Sequence, residues 1–117
     1  TGKAIGATDY LAAKALQDRL RPAFSHDLSG FDAVLTLPAF GEAPAGLGYT
    51  GDAEYCAPWT FLGVPAVSLP AGLGKHRLPL GIQIVGRYRD DLRTLTVAKW
   101  VEAALKFDIG IAEVKPT

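Results

Sequence analysis

Two apolar runs, GVPAVSLPAG and LPLGIQIVGR, lie so close together that the connection between them limits how they can pair. One strand is expected over Ala66–Leu69 and another over residues 78–87, joined by the stretch from Pro70 to Pro79. A parallel crossover needs a dozen or more residues, usually a helix, so this pair reads as antiparallel. Pro65 and Pro70 bracket the first strand, because proline has no amide to extend a ladder. A third strand is expected over Phe31–Leu37 (FDAVLTL), stopped by Pro38. All three runs are mostly apolar, the pattern of strands that want cover on both faces.

Helical spacing frames these strands. Leu11, Ala12, Ala15, Leu16 and Leu20 recur at three- and four-residue intervals, which predicts a helix over 8–24 with Thr8 or Asp9 at its cap. Pro22 is expected to weaken or stop it. A final helix is expected over 91–107, with Asp90 or Asp91 capping and Leu92, Leu95, Ala98, Val101 and Leu105 as the buried stripe. Between the first two strands lie a Gly-, Pro- and Ala-rich loop over 38–51 and a short helical turn within 52–62, limited by Pro58. The tail from Gly110 is expected to fray. The order is helix, strand, strand, strand, helix, in the α/β class with α+β-like character. Two helices cover one sheet face well and the other poorly, so the sheet reads as incomplete, with further strands to come from elsewhere. The chain has 117 residues and no linker or repeat, so it holds one domain at most, here a partial one.

Charge narrows the partners. Lys plus Arg and Asp plus Glu each number 12, giving a formal net charge of zero and no electrostatic footprint for nucleic acid or an anionic membrane. No apolar run approaches the roughly 20 residues of a spanning helix. The single cysteine, Cys56, cannot form an internal disulfide. With no signal-like start, the expected location is cytoplasmic. The chain contains no methionine, which leads to the expectation that its natural beginning lies upstream of Thr1.

No motif in the chain completes a catalytic or cofactor site. GLGYTG at 46–51 spells a dinucleotide-type glycine pattern, but GEAPA before it is no strand and Pro58 stops any helix after it. GLGK at 72–75 lacks the leading glycine of a phosphate loop, and His76 stands where Ser or Thr belongs; it reads as a hairpin connection. Cys56, His26 and His76 have no third group to orient a nucleophile and base, and no Cys or His spacing suits a metal. Neither a cofactor nor a metal is therefore expected. Ser68 reads as a strand serine bonded to backbone. Asp52 reads as an anchor for the glycine loop or a cap for the turn after it.

Several short elements occur together in order: Thr36 with Pro38, Gly63-Val64-Pro65-Ala66, Ser68-Leu69-Pro70, Pro79-Leu80-Gly81-Ile82-Gln83, and Gly86-Arg87. With the preceding TDYLAAKALQDRL and the closing helix, they cover nearly the whole chain, which resembles the C-terminal segment of an amidase signature enzyme. Leu37 between Thr36 and Pro38, and Thr60 where many relatives carry Asn, depart from the pattern. The resemblance implies the C-terminal part of an α/β/α fold, three strands of a mixed sheet flanked by two main helices. It also implies an amide hydrolase whose Ser–cis-Ser–Lys triad lies N-terminal to this region. The chain has no Gly-Ser-Ser-Gly-like run, so no residue in it inherits a catalytic role. The loop over 38–61 is expected to border the cleft, with Tyr49, Asp52, Trp59 and Thr60 as substrate-pocket candidates; Trp59 suits a core role equally well. The implied partners are the remainder of the amidase chain, a small amide and, where the sheet edge stays bare, a second copy. A non-catalytic remnant and a fragment of a tRNA-dependent amidotransferase remain alternatives.

Overall fold

The structure, a computed structural model, describes residues 2–108 and residue 110. Short 3-10 turns at Gly2–Ala4 and Leu28–Gly30 accompany six main elements: α1 (Ala7–Asp27), β1 (Val34–Thr36), α2 (Ala57–Leu62), β2 (Ala66–Leu73), β3 (Pro79–Val85) and α3 (Asp91–Leu105). The sheet order is β1-β3-β2, with both neighbours antiparallel to the central β3. The expected hairpin of β2 and β3 is present. Within these strands no pairing is parallel, so the mixed character implied by the resemblance requires strands outside them. The expected fraying falls on a tail of which 111–117 lie outside the described residues.

Element ends differ from expectation for local reasons. α1 starts at Ala7 behind Gly6, without a side-chain cap from Thr8 or Asp9, and runs through Pro22 to Asp27. Its last turn is held from outside: Phe24 packs on Trp59 with ring centroids 5.8 Å apart, and Leu28 just beyond is buried. β1 shrinks to three residues. Upstream of it, the Arg87 guanidinium takes the carbonyls of Leu28, Ser29 and Phe31 at 2.9, 3.3 and 2.9 Å, which leaves that backbone committed elsewhere. β2 instead runs past Pro70, because it is an edge strand with a register shift between Pro70 and Gly72, where a missing amide is tolerated. Gly63 closes α2 in the left-handed region at φ 65°, its amide returning to Trp59 and Thr60 carbonyls.

The two sheet faces carry separate cores. On one, Leu69 and Ile84 meet Ala98 of α3, with Val67, Ile82, Val97 and Val101 around them. On the other, Val85 meets Leu62 and Val64, with Phe24, Val34, Trp59 and Tyr88 around them. α3 approaches the sheet through Thr94, Val97, Ala98 and Val101, a face rotated from the expected stripe. Leu92 and Leu95 stay exposed at 80% and 56%. Likewise α1 buries none of its side chains, and Leu11 is 64% exposed.

The whole surface shows the same shortfall. The chain exposes 9059 Å², where a monomer of 12.4 kDa with a complete core exposes about 6100 Å². Its radius of gyration is 17.4 Å, against about 13 Å for a compact domain of this length. No helix among the described residues is long and apolar enough to cross a membrane.

Candidate functional site

An open groove of about 1060 Å³ lies between the long loop after β1 and the β2–β3 hairpin. Its floor is Ser68–Pro70 of β2 and Pro79–Gly81 at the start of β3; its walls come from residues 37–44 and 49–55. Gly81 makes the floor flat. A Cβ there would stand 3.0 Å from the Pro38 ring and 3.2 Å from the Ser68 hydroxyl oxygen.

Register explains the polarity beneath the groove. Thr36, Gln83 and Ser68 are direct cross-strand partners, so they form one polar row on the face opposite α3. Gln83 is buried, and its amide nitrogen points to the Cys56 sulfur at 3.9 Å. The Cys56 thiol donates to the Pro38 carbonyl at 3.2 Å. Cys56 therefore pins the start of the loop to the sheet, a structural use of the thiol. Gln83 Oε1 is buried without a partner among the described residues.

Of the four pocket candidates, Tyr49 and Asp52 line the groove, alongside Glu42, Glu54, Tyr55 and Ser68. Asp52 accepts the Glu54 amide at 3.1 Å, turning the chain from the loop toward α2. Trp59 and Thr60 lie outside the groove. Trp59 packs into the core behind it, with its Nε1 buried and unpartnered among the described residues, and Thr60 sits exposed on α2. In the glycine pattern, Gly46 and Gly51 take φ of 84° and 103°, and Gly48 does not enter the left-handed region. Leu47 between them is fully exposed, at 100%.

Chemically the groove offers carboxylates, phenols and one serine. No hydrogen bond among the described residues links Ser68 to a base, and neither histidine nor Lys75 lines the walls. No group of three or more His, Cys, Asp or Glu with metal-holding geometry occurs among the described residues. Sequence reasoning missed Glu42, whose carboxylate bonds the β2–β3 turn. Its partners lie more than thirty residues away, and no local pattern announces them.

Comparison with known proteins supplies the rest. No family model matches the chain. It is 32% identical over 105 residues to a glutamyl-tRNA(Gln) amidotransferase subunit from Rickettsia bellii, covering 83% of this chain and 21% of that protein. The mitochondrial counterpart from Xenopus laevis is 38% identical over 88 residues, covering 68% of this chain and 17% of its own length. Among solved structures, an amidase crystal structure superposes with a TM-score of 0.74 at 32% identity, over 88% of this chain and 26% of that one. The chain thus spans only about a fifth of the curated relatives it matches. Fold and sequence agree over that stretch, which is homologous to the matching part of amidase signature proteins.

Proposed function

We propose that the chain is the C-terminal portion of an amide hydrolase that cleaves a carboxamide to a carboxylic acid and ammonia or an amine. In this reading it completes the sheet and supplies the cleft wall, and the Ser–cis-Ser–Lys triad lies in the remainder of the enzyme. The observation that carries the reading is a large groove with a floor from β2 and β3 and walls from the long loop, in a stretch whose fold matches an amidase. Tyr49 and Asp52 face the substrate, Trp59 supports them from the core, and Thr60 contributes only where the cleft extends over α2. A second reading, a fragment of a tRNA-dependent amidotransferase, draws support from the relatives of that name.

The test is a hybrid in which this chain replaces the matching quarter of the amidase structural neighbour. The 117-residue chain alone is expected to hydrolyse no simple amide, and the hybrid is expected to do so. Tyr49→Ala in the hybrid should raise KM more than it lowers kcat, because Tyr49 binds rather than reacts. Hydrolysis by the chain alone would overturn the reading. A folded, inactive hybrid would favour the non-catalytic remnant, and preference for glutamine over simple amides would favour the amidotransferase.

A further inference from the structure

Every residue from 39 to 50 is exposed except Glu42, which is half-buried. Its carboxylate reaches the turn that joins β2 to β3. That turn first closes on itself: the Gly74 amide donates to the Leu78 carbonyl at 2.9 Å, and the Arg77 amide donates to the Gly74 carbonyl at 3.0 Å. Arg77 takes φ 62°, the left-handed conformation that a tight turn demands. Those bonds leave the His76 and Leu78 amides unused, and both turn toward one side chain. His76 donates to the two Glu42 oxygens at 2.9 and 3.1 Å, and Leu78 donates to Glu42 Oε1 at 3.0 Å.

The seat is shaped for the carboxylate. A Cβ on Gly74 would fall directly on the Glu42 side chain. No other hydrogen bond among the described residues holds any residue from 39 to 51. The loop is otherwise tied only at its ends, by the Cys56 thiol on the Pro38 carbonyl and by the turn at Asp52. Both Glu42 and the loop around it line the groove.

We infer that Glu42 is a latch: it fastens the 39–51 loop to the β2–β3 turn as one wall of the groove, and its release lets that wall swing away from the floor. Hydrogen bonds to a charged acceptor are stronger than neutral ones. One carboxylate with two amides is therefore enough to hold a loop that has no other tether. The latch does not depend on the amidase reading, since it concerns the position of the loop and not any reaction.

The test uses the full chain and no substrate. Hydrogen exchange resolved to single amides follows His76 and Leu78, and limited proteolysis follows the loop around Leu47. Glu42→Ala should speed exchange at both amides by about tenfold or more, as expected when hydrogen bonds to a charged group are lost, and should speed loop cleavage. Gly74→Ala should do the same with Glu42 intact, because the new methyl group displaces the carboxylate. Glu42→Gln keeps an acceptor oxygen and should fall between these and the parent. Exchange at His76 and Leu78 should stay insensitive to low urea in all three, which separates local unlatching from global unfolding, and the urea midpoint should fall only by what the lost hydrogen bonds contribute. Exchange at His76 and Leu78 that is indifferent to Glu42, or faster exchange without faster loop cleavage, would overturn the latch.

Discussion

At Gly86 the chain leaves β3 and passes against α3 with no room for a side chain. A Cβ there would fall on the Thr94 hydroxyl and come within 2.9 Å of the Thr94 Cβ. Thr94 cannot swing away freely: it is 1% exposed, and its hydroxyl donates to the Asp90 carbonyl at 2.8 Å, closing the first turn of the helix. The Gly-Arg element at 86–87 therefore has a packing reason at its first residue and a bonding reason at its second, where Arg87 gathers three carbonyls. Gly86→Ala is expected to destabilise the chain by about 1–3 kcal/mol, the range for overpacking, seen as a lower urea midpoint. Thr94→Ala alone should cost about 1 kcal/mol for its lost hydrogen bond. The double variant should cost less than the sum of the two, since removing the hydroxyl and methyl relieves the clash. Strict additivity would mean that the two residues do not press on one another.

Helix α3 shows how far periodicity reaches. Its existence and start were legible, because Leu92, Leu95, Ala98, Val101 and Leu105 repeat at helical spacing after two aspartates. Its inward face was not, because the helix carries two apolar stripes and the one that meets the sheet includes a threonine. Hydropathy does not reveal that the Thr94 hydroxyl is satisfied within its own turn. The hairpin was legible from connection length alone, whereas the shortness of β1 was not, since Arg87 sits more than fifty residues from the carbonyls it binds. In the groove, the long loop that carries Tyr49 and Asp52 was legible from its Gly, Pro and Ala content. Glu42 was not, for the same reason of distance in sequence. The rotated face has a direct consequence. Ile84→Ala, at a site 1% exposed beneath α3, should cost about 2–5 kcal/mol. Leu92→Ala, on the outer stripe, should shift stability by no more than about 0.5 kcal/mol. Denaturant unfolding of the two variants checks this, and a large loss at Leu92 would show that the outer stripe is packed within the chain itself.

At the scale of the molecule, unburied apolar side chains occur on α1, the long loop, the hairpin and α3, and one group of them lies together beside β1. Phe31, Leu35 and Trp100 flank a second groove of about 620 Å³ between β1 and α3, and Leu92 and Leu95 continue the apolar surface along the helix. Among the described residues β1 also leaves one edge unpaired, as does β2 on the far side, and unpaired edges seek strands. Soluble monomers rarely expose apolar patches larger than a few hundred Å², so this face is where cover from outside the described strands is most expected. Under the proposed function the remainder of the amidase covers it, and hydroxyl-radical labelling read by mass spectrometry can follow that cover residue by residue. In the chain alone Trp100, 72% exposed, should label heavily, together with Phe31, Leu35 and Leu92. In the amidase hybrid their labelling should fall several-fold, while Leu47 on the cleft-side loop keeps its own. A uniform fall at all five positions would indicate aggregation. Undiminished labelling of Trp100 in an active hybrid would show that this face stays outside the enzyme, and would leave a second copy of the chain as its occupant.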